Sequence, residues 1–333
     1  MCMPVNSNLR LHTKRTFMQS FPFAVNDEPF CLWEVEPESR VRSFLDGIDV
    51  DFFAYTLQTH LDTEDEMRAL VAIRLSLHHA TEAMFSLLGA FVQAPRCPYA
   101  WIAKCSNEKL RAFTARVSRS DPQLISMLKI PIVNWHSVGT VVFATYQAGT
   151  ERQENTVKCF AVLWDRLTGE LNNQTYVDEY NALKHGFRIR PGGFTLAVGD
   201  EHEYGVPPPA SEMEAIGQSS FGASFFKIEP LGSAKGNRHV RSRQTSVNWS
   251  LERIILLHQL VNMSINNVVS ALKVVNHYEP NECKFLRPEN DSDFSQPWMH
   301  NTGVSSMSYV HELDESRLPR LNKTELLAML RAK

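Results

Sequence analysis

Residues 75–85 read Leu75-Ser76-Leu77-His78-His79-Ala80-Thr81-Glu82-Ala83-Met84-Phe85, inside a run of helical period from Met67 to about Val92. Met67, Leu70, Val71, Arg74, Leu75, His78, Glu82, Phe85 and Leu88 recur at three- and four-residue spacing, which puts them on one helix face. The acidic group Asp62-Thr63-Glu64-Asp65-Glu66 precedes them, with Thr63 and Glu66 spaced as a capping box, and Pro95 closes the run. One long, mostly apolar helix therefore anchors the fold.

Further helices follow by the same reasoning. A shorter one is expected from about Asp51 to Leu61, another behind a cap at Ser106, and one across 121–130 before Pro131. Others are expected from about Glu151 to Leu171, from Thr175 to His185 with Gly186 as the stop, from Ser250 to about Val275, and from Lys323 to Arg331. Residues 187–248 are different. They carry Pro191, the prolines 207–209, many glycines and alternating runs such as Phe187-Arg188-Ile189-Arg190, which predicts strands and turns.

The expected fold is thus mainly α: a helical bundle with a small inserted antiparallel β element at about 187–248. Residues 1–45 read as an irregular arm that packs on the body through Phe17, Phe21, Phe23, Phe30, Leu32 and Trp33. Residues 46–278 form the helical domain, and 279–333 a loop-rich segment ending in a short helix.

Composition narrows the function classes. A chain of 333 residues with 43% hydrophobic and 21% charged residues is long and apolar enough for a self-sufficient core. The net charge of -3 argues against coating nucleic acid by bulk charge, so a polyanion site has to be a local patch. The six cysteines, at 2, 31, 97, 105, 159 and 283, form no Cys-x-x-Cys pair and read as reduced thiols. The N-terminus lacks a signal-peptide pattern and no apolar stretch reaches the length of a membrane span, so a cytoplasmic protein without membrane contact is expected. Neither a Walker A loop, nor Gly-x-Gly-x-x-Gly, nor Gly-x-Ser-x-Gly occurs, and no cofactor is expected.

The candidate site lies at Tyr180-Asn181-Ala182-Leu183-Lys184-His185-Gly186. On a helix Asn181 and His185 share a face, with Lys184 beside them. An imidazole suits proton transfer near neutral pH, an amide orients a substrate oxygen, and an ammonium meets developing negative charge. Lys and His also suit the negative end of any helix, with Gly just beyond it, so a plain helix terminus accounts for the same residues. Arg188 and Arg190 share one strand face, and so do His239, Arg241 and Arg243, with Lys235 and Arg238 just before. Neighbouring strands would merge these into one anion-binding patch, whereas separated strands would leave two solvated faces.

Three further groups read as structural. His78, His79 and Glu82 crowd one helix, but no second ligand set exists for a metal, and none is expected. Arg74 and His79 lie mid-helix in an apolar pattern. Asn262, Asn266, Asn267 and Ser270 form a polar stripe that reads as a hydrated helix face.

The segment Glu179 to Gly186 resembles the late helix of HEPN-superfamily proteins, and Leu75 to Phe85 resembles a long first helix of such bundles. Active members of that superfamily are metal-independent endoribonucleases with an Arg shortly before the His. Here the positions ahead of His185 hold Asp178, Glu179 and Tyr180, so only His185 and Asn181 carry over. The resemblance implies an intracellular protein that binds RNA or a nucleotide through a basic patch, with ribonuclease activity altered or lost. The alternative is a non-catalytic, dimerising scaffold of a bacterial response system, and a small-molecule enzyme is a third reading.

Overall fold

The computed structural model describes residues 18–186, 188–231, 238–310, 313, 318–319 and 321–332. It corrects the expected fold class: of the described residues 51% are helical, short 3-10 turns included, and 17% are strand, with ten α-helices, one four-stranded sheet and two two-stranded sheets among them. The protein is α plus β, and strands occur well outside 187–248.

Its centre is α3 (Glu66–Gln93) packed along α9 (Leu251–Val275). Leu77, Met84, Phe85 and Leu88 of α3 and Leu257, Val261, Val268 and Leu272 of α9 are buried, as their spacing predicts. α3 begins two residues later than the Thr63 reading: Asp65 is the N-cap, and its side chain accepts from the Arg68 amide. Gly89 of α3 admits the Trp101 indole of α4 (Pro98–Lys104), since a Cβ there would lie 2.2 Å from the ring. α9 is the one described helix long and apolar enough to cross a membrane, yet most of it is buried, with His258, Ser264 and Asn267 inside the protein.

α1 (Pro37–Asp46), α2 (Phe52–Leu61), α5 (Asn107–Ser118), α6 (Trp135–Val142), α7 (Thr150–Leu171) and α8 (Gln174–Leu183) surround that pair. Ser106 caps α5 as expected, and Ser250, read as the start of its helix, caps α9, each accepting a backbone N–H. Residues 121–130 hold turns instead of the expected helix. Asp121 accepts the Gln123 amide beside Pro122, a local bond that competes with helix.

The arm is not irregular along its length. β1 (Gln19–Val25) pairs antiparallel with β2 (Glu28–Glu34), and Asn26 at φ 58° makes the turn. Phe23, Ala24 and Val25 enter the core, anchored by Gln93, whose side chain bonds both backbone groups of Asn26.

The large sheet runs β3 (Ile189–Pro191), β6 (Gly222–Pro230), β7 (Val240–Asn248), β8 (Ser306–Tyr309). β4 (Thr195–Val198) and β5 (Glu214–Gln218) form the other two-stranded sheet. β8 comes from the segment expected to be loop, and its polar Ser-Met-Ser-Tyr carries no clear strand signal. The helix α10 (Lys323–Arg331) closes the chain where it was expected.

The asparagine stripe is not a hydrated face. Asn267 and Ser270 are buried, and they bond the backbone of Leu286 and Lys284, with Asn266 adding a second bond to Lys284. A strip of α9 thereby replaces water for a loop that has no strand partner.

Candidate functional site

The helices α3 and α8 meet through charge. Arg74 donates from Nε and Nη2 to the two carboxylate oxygens of Glu179, each at 2.8 Å, and the Trp249 indole N–H donates to the same carboxylate at 2.7 Å. Burial by itself would raise the Glu179 pKa, but the Arg74 guanidinium overrides it and holds the carboxyl well below its usual range. Glu179 in turn keeps the Arg74 guanidinium charged despite burial.

His78, one turn along α3 from Arg74, has its Nε2 3.7 Å from the same carboxylate, beyond hydrogen-bond reach. Its ring stacks on Tyr180 with planes 8° apart and leans on Tyr176. Burial, then the Arg74 charge, push His78 down to about 4, so it is neutral at pH 7. The Tyr180 hydroxyl donates to Glu82 at 2.6 Å, and burial together with that carboxylate raises its pKa.

A cleft of about 790 Å³ has Arg74, Glu179 and Trp249 in its lining. Its walls are the C-terminal half of α7, the first turns of α8 and α9, and the segment from Trp298 to Ser306. Arg74 and Arg253 both face it, but each is held by a carboxylate, Arg253 by Glu170. Arg166 is different. It is exposed, its guanidinium lies 4.5 Å from the centre of the Trp298 ring, and among the described residues no carboxylate pairs with it. Stacking leaves the in-plane N–H groups of a guanidinium free for a bidentate anion. His300 and Asn301 complete the wall beside it.

A larger cleft, about 1100 Å³, lies at the start of α7. There Arg287 is tied to Asp291 and Thr156, and Glu151, Glu154 and Glu289 balance Arg152 and Lys158. It offers no concentration of one charge.

The residues singled out from the sequence are dispersed. α8 ends at Leu183, with Lys184 as C-cap and Gly186 at φ 70°, so His185 sits exposed in the turn. Asn181 and Lys184 border a small cleft of about 130 Å³ with Glu82, Arg111 and Tyr180, which His185 does not line. Lys184 Nζ lies 5.2 Å from the Tyr180 ring centre.

Strand register separates the basic runs. Arg190 pairs with Ser224, whereas Arg241 and Arg243 pair with Glu229 and Lys227, an odd number of positions away along β6. Paired residues share a face and neighbours alternate, so Arg190 projects from one side of the sheet and Arg241 and Arg243 from the other. The single merged patch does not form. Arg243 and Arg241 lie 3.1 and 3.6 Å from the Glu229 carboxylate, and Lys227 bonds Asp178 of α8 at 2.8 Å. Arg188 and Arg238 are exposed, and Lys235 lies outside the described residues.

Sequence reasoning missed Arg166, Arg253, Glu179, Trp249, Trp298 and His300 as partners. Arg166 and Glu170 stand at i, i+4 on α7, a spacing that suggests an ion pair although Glu170 pairs with Arg253 instead, and Trp249 precedes the Ser250 cap. Nothing local marks residues 298–306 as a wall. Among the described residues no group of three or more His, Cys, Asp or Glu is placed to hold a metal ion. In comparisons with protein-family models, curated proteins and solved structures, nothing matches the chain.

Proposed function

We propose that this chain binds a phosphate-bearing ligand, RNA or a nucleotide, in the cleft bounded by α7, α8, α9 and residues 298–306. The carrying observation is Arg166, stacked on Trp298 with no carboxylate partner among the described residues, facing the cleft that Arg74 and Arg253 also line. A guanidinium fixed by an aromatic face favours a bidentate oxyanion, and the half-buried Trp298 ring adds flat apolar surface beside it. The resemblance of residues 75–85 and 179–186 to HEPN bundles supports RNA as the ligand. The acidic and aromatic residues where that superfamily carries its Arg support altered or lost ribonuclease chemistry. A cytoplasmic setting belongs to the same reading, and the described cysteines Cys31, Cys97, Cys105, Cys159 and Cys283 are all free.

The test is binding of fluorescent single-stranded RNA and of a labelled nucleotide at low and moderate salt. Arg166→Glu is expected to weaken binding roughly tenfold or more and to lower the salt slope by about 1. His185→Ala should leave it unchanged, because His185 is outside the cleft. No binding by the unaltered protein, or binding indifferent to Arg166→Glu, overturns the proposal.

A further inference from the structure

The four-stranded sheet has one covered face, and its other face is open at the Phe226–Pro230 end, whereas Ser246 and Asn248 at the far end of that face are buried. Phe225, which is buried, and Lys227, which bonds Asp178, turn toward the helical body. The register places Phe226 opposite Gln244, Ile228 opposite Ser242, Pro230 opposite Val240, and Tyr309 opposite Gln244. Phe226, Ile228, Val240 and Tyr309 therefore share the other face. They are 66%, 61%, 55% and 55% exposed, so no part of the described chain covers them. Arg190 adds the only charge that the register places on that face.

A second surface is left open at the end of the chain. In α10 the residues Leu326, Leu327, Met329 and Leu330 fall within one side of the helix, which Lys323 shares at its first position, with Thr324, Glu325 and Arg331 on the other. None of its residues is buried, and Leu330 is 74% exposed. A nine-residue helix is marginal by itself in water, so this stripe calls for a surface to lie on. The contact between His239 Nε2 and the Leu321 carbonyl, at 3.1 Å, holds the start of α10 beside the first residue of β7. Tethered there, the helix leaves both its own stripe and the sheet face open.

We propose that the two surfaces meet between two copies of this chain: α10 of each copy lies on the open sheet face of the other. Area supports a second copy as the occupant. The exposed apolar atoms of the sheet face and of the α10 stripe come to about 700 Å² per chain, near the roughly 800 Å² each partner buries in a standard interface. The contact is isologous, because each copy supplies one helix and one sheet face, so it closes at two. The assembly is independent of the phosphate cleft.

Sedimentation or light scattering of the full chain over a wide concentration range reads the outcome. The unaltered protein is expected to have twice the chain mass. Phe226→Glu with Ile228→Lys on the sheet, and separately Leu330→Glu on the helix, should each halve that mass while leaving the far-UV circular dichroism and the melting temperature of the monomer in place, because all three residues are exposed. A protein monomeric at every concentration overturns the proposal, and so does a dimer that survives either change.

Discussion

The Arg74 guanidinium grips the Glu179 carboxylate through two 2.8 Å hydrogen bonds, joining helices whose contacting residues are 105 positions apart. The Trp249 indole adds a third bond to the same carboxylate. Removing one charge leaves the other buried without compensation. Glu179→Ala or Arg74→Ala is expected to cost about 3–5 kcal/mol of unfolding free energy, measured by denaturant titration. An apolar pair of similar volume, Arg74→Met with Glu179→Leu, should cost much less than the two single changes added together. Equal losses would show that the bonds, not the desolvated charges, dominate.

Acid should destabilise the protein in two stages. His78 and His258 titrate at about 4 in the folded chain against 6.5 unfolded, because burial disfavours their charged forms, helped at His78 by Arg74. The unfolded state binds more protons between those values, so stability rises with pH across the window and is lost as pH falls through it. The Glu179 carboxyl is also depressed, so its contribution is present above 4.5 and is lost below it. The pH dependence of unfolding should report uptake of about two protons between pH 6.5 and 4. His78→Leu should reduce that to about one, and an unchanged slope would contradict a neutral buried His78.

Gly89 is fixed by its neighbour and not by its backbone. A methyl group there would meet the buried Trp101 ring at 2.2 Å, and that ring is held in turn by its bond to Gln93. Gly89→Ala is expected to destabilise by about 1–3 kcal/mol, although alanine favours helix. A melting temperature equal to or above that of the unaltered protein would show that Trp101 moves freely.

Asn267 bonds both the amide and the carbonyl of Leu286. Asn267→Ala should unpair two backbone groups and cost about 1–3 kcal/mol. Amide exchange should quicken around residues 284–288 before any change appears in α3. Uniform loss of protection would mean that the loop and the core open together.

Most helices were legible because each writes its own signals locally. Ser106, Ser250 and the Lys323–Arg331 stretch carry caps and periodicity within a few residues, and each element lies where those signals put it. The Asn26 turn and β8 were less visible: a two-residue turn is a small signal, and Ser306–Tyr309 becomes strand only because β7 offers an unpaired edge. The helix expected at 121–130 failed for the converse reason, since its local bonds favour turns. The candidate site was legible only in part. Asn181 and Lys184 lie at the helix end where they were expected, but His185 falls in the turn beyond it, and that end opens to solvent instead of into the main cleft.

The sequence by itself determined where the long helices run and which faces are apolar, because periodicity and capping act over a single turn. Only the tertiary structure decided that Glu179 pairs with Arg74, that Arg166 stacks on Trp298, and that Arg190 and Arg241 point to opposite sides of one sheet. Those relations depend on strand register and helix crossing between residues far apart in the chain. A shift of one position in register would have reversed the last of them.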